Sequence, residues 1–354
     1  MAEFTSDTLE QIGEIAPLHS DGVACVTVCH NEALILPFFL QHYRDIGVAH
    51  FYIVDDHSDD NTRDILANAP DVSVFKPING AKFRENVGRW REQILDHFCA
   101  NSWVTLPDLD EFLYFKDMPK PLNHVAAKLE ADGHGALISA MVDMYADQPL
   151  GQHFFDGKSP PQDVFPFFDD QVSPHSGIRI MAQPKRFVAQ FPTPPITLMG
   201  GLRERLFFQE RTFTSLQAWL LARFAHIRRP LNPSFLEALE NKLTRQFTKG
   251  RSAKTPSVLN KFALLKWPRG AKFSRAPHSI DKRISISEGL AASLHFKFYK
   301  GSGGLKYSAE RAQHAGGSAL AKLILEEKDI LAKSPVFEGS RRFEGIASLN
   351  RILR

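Results

Sequence analysis

The chain has 354 residues, 43% hydrophobic and 23% charged, an ordinary globular composition with room for one large or two modest domains. Its formal net charge of +3 is too near neutral to argue for nucleic acid, and no apolar run approaches the ~20 residues of a membrane span. Three cysteines (Cys25, Cys29, Cys99) without metal-like spacing, behind an acidic N-terminus lacking an apolar signal core, predict a reducing, cytoplasmic setting with membrane-surface contact left open.

Strand and helix signals alternate through the first part. VACVTVC (Val23 to Cys29) is a β-branched run, and Glu32 to Ile46 places Leu36, Phe39, Leu40 and Tyr43 at helical spacing before Gly47. HFYIV (His50 to Val54) is the next strand, Asp55 to Asn61 a polar turn, and Thr62 to Ala69 a short helix ending before Pro70. A third strand covers Val72 to Phe75, a long helix Phe83 to Phe98, and a fourth strand begins at Trp103. Alternation of this kind predicts a mostly parallel sheet flanked by helices, with ligands beyond the carboxyl ends of its strands. Ala136 to Val142 reads as a further strand, Ala146 to Pro195 as a loop-rich functional stretch, and GGLRERLFF from Gly200 as a strand. Residues 211–254 hold nine Lys or Arg against two acids, with Leu216, Trp219, Leu220, Phe224 and Ile227 at helical spacing. That pattern fits either the core-facing side of a surface helix or peripheral contact with an anionic membrane. KFALLKW and ASLHFKF then read as strands, Tyr307 to His314 and Ser318 to Glu327 as helices, and the basic end as a tail or packed helix.

The chemistry concentrates in WVTLPDLDEFLYF, where an apolar run meets Asp108, Asp110 and Glu111. Crowded carboxylates repel and are costly to desolvate unless a cation joins them. If the strand continues through them, Asp108 and Asp110 share a face and suit Mg²⁺ or Mn²⁺; a turn with acids near a helix start is the other reading. His30–Asn31–Glu32 and Asp55–Asp56 fall at the ends of the first two strands, so three polar clusters are expected on one rim. Asn31, Glu32 and Asp56 are candidates for nucleotide contact, although Asp55–Asp56 also suits turn formation. Lys82, Arg84 and Arg89 open the helix after the third strand and either face a diphosphate or stay in solvent.

HNEALILPFFLQHYRDIGVAHFYIVDDHSDDNT resembles the opening of glycosyltransferase family 2-like enzymes, especially the bacterial branch close to family 92, and PDLDEFLYF resembles their acidic metal motif. VDMYADQPL, GGLRERLF, LNKFALLKW, APHSI, LHFKF and AERAQHAGGS match in the same order, with the basic stretch from Arg211 as an insertion. The resemblance implies a GT-A fold: residues 21–145 as nucleotide-sugar half, 146–210 as acceptor side, 211–256 as basic helical insertion and 257–330 as the rest of the catalytic domain. Residues 1–20 would be an extension and 331–354 a tail. It further implies transfer from a nucleotide-diphosphate sugar, UDP-linked by expectation, to a glycan or lipid-linked acceptor, with Mn²⁺ or Mg²⁺ and no nucleic acid. Asp110 is the expected metal ligand, and Asp108 is expected to share the metal or bind ribose. Glu111 would orient them or pair with an Arg. His295 is the leading late histidine ligand, His278 the second, and Lys297 reaches phosphate. Glu204 and Asp143 are the candidate bases for an inverting transfer, each with a structural alternative in a salt bridge or turn. A phosphohydrolase using Asp108 as nucleophile and a non-catalytic carbohydrate-binding scaffold are the competing expectations.

Overall fold

The computed structural model describes residues 3–13, 15, 22–171, 177–208, 213–248, 258–274, 276–311 and 319–354. Its strands are β1 (Leu9–Ile12), β2 (Val23–Cys29), β3 (Val48–Asp55), β4 (Val72–Pro77), β5 (Trp103–Thr105), β6 (Glu111–Tyr114) and β7 (Ala136–Tyr145), followed by β8 (Phe167–Asp169), β9 (Arg179–Ala182), β10 (Ile196–Met199), β11 (Asn260–Lys266), β12 (Ile286–His295) and β13 (Ser340–Arg342). The helices are α1 (Leu36–Asp45), α2 (Thr62–Ala67), α3 (Phe83–Phe98), α4 (Leu122–Ala131), α5 (Pro161–Val164) and α6 (Lys185–Gln190), then α7 (Gly201–Arg203), α8 (Ser215–Phe224), α9 (Phe235–Thr248), α10 (Gly301–Arg311), α11 (Ala319–Glu326) and α12 (Lys328–Leu331).

One mixed, mostly parallel sheet runs β1-β4-β3-β2-β5-β11-β7-β12-β6, with β8 and β13 attached beside β7 and a separate β9–β10 pair. Strands β4, β3, β2 and β5 are mutually parallel, as are β7 and β12. Every residue of β2 is buried, as expected for a central parallel strand covered on both faces. The chain steps outward through β2, β3 and β4, then returns through α3 to β5 on the other side of β2. Right-handed crossovers therefore put α3 on the face opposite α1. The aromatic contacts agree: Phe39 of α1 meets Phe51, while Phe98 of α3 stacks on its strand neighbour Tyr52, which points the other way. Gly47 ends α1 at φ +94°, and a Cβ there would lie 2.7 Å from the Cβ of Pro121, so the turn and the close packing both require glycine.

Strand directions bring the polar clusters to one edge. Strand β11 is antiparallel to both β5 and β7, so β7 and β12 run with β2 and end on the same side. Strand β6 is antiparallel to β12 and starts on that side. Along this edge lie Asp55–Asp56, Asn31–Glu32, Asp108, Lys261, Asp143, His295 and Glu111 in turn.

Two expectations need correction. GGLRERLFF is not a strand: Gly200 at φ +112° and Gly201 at +71° turn the chain into α7, which continues as a π-helical turn over Glu204–Phe208. A Cβ on Gly200 would come within 2.3 Å of the Gly177 carbonyl, so the glycine pair marks a tight helix entry. The fourth strand does not run through the acids either. Strand β5 stops at Thr105, the chain turns at 106–110 and a new strand starts at Glu111, which matches the turn reading of that motif. The basic end is packed, with Leu349 and Ile352 buried and the Arg354 carbonyl bonded to Leu290 of β12. No described helix is long and apolar enough to cross a membrane.

Candidate active site

Because the chain turns at 106–110, Asp108 and Asp110 face different partners. Asp108 accepts from Arg91 Nη2 at 2.7 Å and pairs with Lys261 Nζ. Lys261 also pairs with Glu111 at 2.8 Å, and the other Glu111 oxygen accepts the Asp108 backbone N–H at 3.1 Å. Burial opposes the charge on Asp108, but Lys261 and Arg91 outweigh it and hold the carboxyl well below its usual range. Burial and the neighbouring Asp108 and Asp110 instead push Glu111 up, against the pull of Lys261. Both cations are inside the protein, with only 2% of Arg91 and 4% of Lys261 side-chain surface exposed. Buried charges need close partners, which fixes this network.

Asp110 lies on the other side of the turn. Its carboxylate is 3.5 Å from His295 Nε2, and its carbonyl accepts from the Phe296 N–H. Among the described residues no Lys or Arg pairs with it. His295 stands directly opposite Asp143 on β7 and Glu111 on β6, because β12 lies between those strands. Its Nδ1 donates to Asp143 at 2.6 Å, and the second Asp143 oxygen accepts from Arg203 Nε at 2.9 Å. That leaves Nε2 aimed at Asp110. Burial alone would lower the His295 pKa; Asp110 and Asp143 outweigh it and raise it to about 9. Asp110 in turn is held well below its usual range, as His295 and Lys297 overcome its burial. One oxygen each from Asp110 and Glu111 and a His295 ring nitrogen lie within 4.8 Å of one another.

The donor set suits a divalent cation. Asp110 lacks a fixed cationic partner, and a carboxylate orients the imidazole from behind, the arrangement that metal-binding histidines use. Glu111 contributes to such a site only by sharing Lys261. His278 is not in this group: its Nδ1 donates to the Asn260 carbonyl, and burial with nearby Lys261 lowers its pKa to about 4.

The rim at β2 and β3 is built differently. Asn31 adopts φ +55°, and its side chain exchanges hydrogen bonds with Asp59. Glu32 accepts from Tyr299 and, at 3.0 Å, from Lys300, whose Nζ also donates to the Asn31 carbonyl. Asp56 pairs with Arg311. His30 bonds to the Asp56 carbonyl and to Tyr307, with the two rings stacked. Turn formation falls to Asp55, which accepts from the Ser58 N–H, and to Asp60, which accepts from Ala33 and Thr62. Helix α10 and the residues just before it thus sit over the predicted nucleotide rim.

The remaining candidates scatter. Lys82 is the exposed N-cap of α3 with Arg84 beside it, while Arg89 forms an exposed pair with Asp7. Glu204 is buried against Arg179 through one oxygen, and its Oε2 has no hydrogen-bond partner among the described residues. Asp143, expected as a base, is held by Arg203 and His295 at a pKa of about 2 despite its burial. His314 and residues 211–212 and 249–254 lie outside the described residues.

Sequence reasoning missed Lys261, Arg91, Arg203, Tyr299, Lys300, Tyr307 and Arg311. Two had a readable signal. Lys261 interrupts an apolar strand, and Arg91 occupies the apolar face of α3 between Trp90 and Ile94; a cation at either position must find a carboxylate.

No protein-family model and no curated protein matches the chain. Among solved structures it is similar to a putative glucose-1-phosphate thymidylyltransferase from Bacillus anthracis, determined with sucrose, at 6% identity and a TM-score of 0.25. That match covers 37% of this chain, which spans 58% of the neighbour's length. Likeness of this degree decides nothing about chemistry. The architecture stands on the strand order: a mostly parallel, Rossmann-like α/β sheet whose polar residues gather at the carboxyl edge.

Proposed function

We propose that the protein is a metal-dependent glycosyltransferase of GT-A type, moving a sugar from a nucleotide diphosphate to a glycan or lipid-linked acceptor. The observation that carries this is the line Asp110–His295–Asp143 at the carboxyl edge of the sheet, a carboxylate and an oriented imidazole facing each other without a fixed cation between them. Asp110 and His295 would hold Mn²⁺ or Mg²⁺, with Glu111 alongside. When bound, the cation would stabilise negative charge on a departing diphosphate.

The protein's own groups then have distinct roles. Asp143 fixes the tautomer and direction of His295. Lys297, two residues after His295 and felt electrostatically by Asp110, would meet a phosphate. Asn31, Glu32 and Asp56 line the nucleotide side. In an inverting transfer the acceptor oxygen bonds to the anomeric carbon as the bond to the diphosphate oxygen breaks, and the acceptor proton passes to a carboxylate. Of the two candidate carboxylates, Asp143 has both oxygens held by His295 and Arg203, whereas the buried Glu204 keeps one oxygen unengaged and would need the site to open toward it. A phosphohydrolase is less well supported, because Asp108 is tied to two buried cations and would be a poor nucleophile.

Thermal shift with UDP, GDP and CMP, with and without Mn²⁺, tests the reading on the wild type and Asp110→Asn. The expected result is a Mn²⁺-dependent rise with one nucleotide diphosphate that disappears in the variant, whose own Tm stays close to wild type. A nucleotide response that ignores both Mn²⁺ and the substitution would overturn the metal assignment.

A further inference from the structure

Within the basic stretch, residues 213–248 fold as a hairpin of α8 and α9 whose amphipathic pattern is inverted. On α9 the buried positions are the small polar residues Asn241, Thr244 and Thr248. Asn241 takes up free backbone groups, accepting from Ala182 and donating to the carbonyls of Ile180 and Phe224. The apolar stripe of the same helix points outward: Leu236 is 69% exposed, Leu243 46% and Phe247 63%. Their spacing keeps them on one side of a 3.6-residue helix. On α8 Leu216 and Trp219 are also outward, at 63% and 57%. Gln217 donates to the Phe247 carbonyl, which seats the start of α8 beside the end of α9 and joins the two apolar sets into one patch. Leaving such a patch in water is unfavourable, and contiguous exposed apolar surface of this kind marks an interaction site.

Charge selects the occupant. Residues 211–254 carry nine Lys or Arg against two acids, an excess larger than the net +3 of the whole chain, so the remainder of the protein is net acidic. Lys242 and Arg245 are exposed on the polar side of α9, turned away from the stripe, and Arg223 is exposed on α8. Glu240, one of the two acids, is already paired with Arg229. A two-fold contact between copies would set this cationic segment against itself. An aliphatic and aromatic face with Lys and Arg on the polar face of the same helix is instead the composition of a segment lying in a lipid headgroup layer. We propose that the α8–α9 hairpin docks the protein on an anionic membrane surface, with Leu216, Trp219, Leu243 and Phe247 entering the headgroup region. This stands independently of the proposed glycosyl transfer.

The test is co-sedimentation of the full chain with phosphatidylcholine vesicles with or without phosphatidylglycerol. Tryptophan emission is followed in parallel. Trp90, Trp103 and Trp267 are already buried, so a blue shift on adding vesicles reports on Trp219. The expected results are binding to anionic vesicles that weakens with salt, a blue shift, and at least a tenfold loss of affinity in both Leu243→Ser/Phe247→Ser and Lys242→Glu/Arg245→Glu. All four residues are exposed on α9, so circular dichroism and Tm should match wild type. Absence of binding to anionic vesicles at low salt would overturn the proposal. So would binding that the variants leave intact, or a concentration-dependent dimer abolished by the same substitutions.

Discussion

Two stretches of the same sheet edge collect acidic residues and resolve them in opposite ways. Over β2 and β3, Glu32 and Asp56 each meet a cation from the α10 region, Lys300 and Arg311, and Tyr299 and Tyr307 complete the hydrogen bonds. Over β12 and β6, Asp108, Glu111 and Asp143 have Arg91, Lys261 and Arg203, but Asp110 has only an imidazole at 3.5 Å. The first region is closed electrostatically by the chain itself. The second takes its last positive charge from the titratable His295, and that exchangeable proton, more than the density of carboxylates, distinguishes a cation site from a salt-bridge network.

The comparison breaks first at Lys261. Its ammonium is buried between Asp108 and a Glu111 carboxylate that is 2% exposed, so Lys261→Met strands that charge without a partner. Removing one member of a buried pair costs roughly 3–5 kcal/mol. Urea denaturation should report a loss of that order, and adding Glu111→Gln should recover part of it by removing the stranded charge. A loss below ~1 kcal/mol for the single variant, the range of an exposed pair, would mean that the network is open to water.

Asp143→Asn probes the other member of the contrast. The amide can still approach His295 but no longer favours the tautomer that leaves Nε2 free. Loss of an outer partner of this kind weakens metal binding ~10–100-fold. Calorimetric titration with Mn²⁺ measures it, and an unchanged affinity would show that His295 does not bind the ion. Across the edge, Arg311→Ala removes the partner of an Asp56 side chain that is only 5% exposed. The expected cost is ~1–3 kcal/mol, with faster amide hydrogen exchange in α10 and no dependence on Mn²⁺. A Mn²⁺-sensitive response in this variant would merge the two regions into one.

Much of this arrangement was legible in the sequence because periodicity reports burial. Strand β2 and helix α3 were read at their observed limits, since β-branched residues and amphipathic spacing decide those elements locally. The edge to which Asn31, Asp56 and Asp110 come followed from alternation alone. What escaped depends on side chains distant in sequence. Asp108 and Asp110 were expected on one face, but Pro107 and the turn after it separate them, and the cations that claim Asp108 come from α3 and β11. GGLRERLFF alternates like a strand, yet the paired glycines permit positive φ and start a helix whose Arg203 and Glu204 reach inward to Asp143 and Arg179. The role of α10 had no local signal at all, because Tyr307 and Arg311 gain meaning only from the acids they cover.

The smallest effect belongs to Arg89, which the sequence places among cations that open α3 toward a diphosphate. In the structure one of its guanidinium nitrogens donates to both oxygens of the Asp7 carboxylate at 2.8 Å, in the exposed segment ahead of the outer strand β1. Half of its side chain is in solvent, and exposed pairs of this sort contribute little once water and salt screen them. Arg89→Ala should therefore leave both Tm and Mn²⁺-dependent nucleotide binding unchanged within measurement error. A clear loss of nucleotide affinity in this variant would mean that the diphosphate crosses α3. The phosphates would then lie over α3 and not beside Asp110, and the metal edge would lose its assigned role.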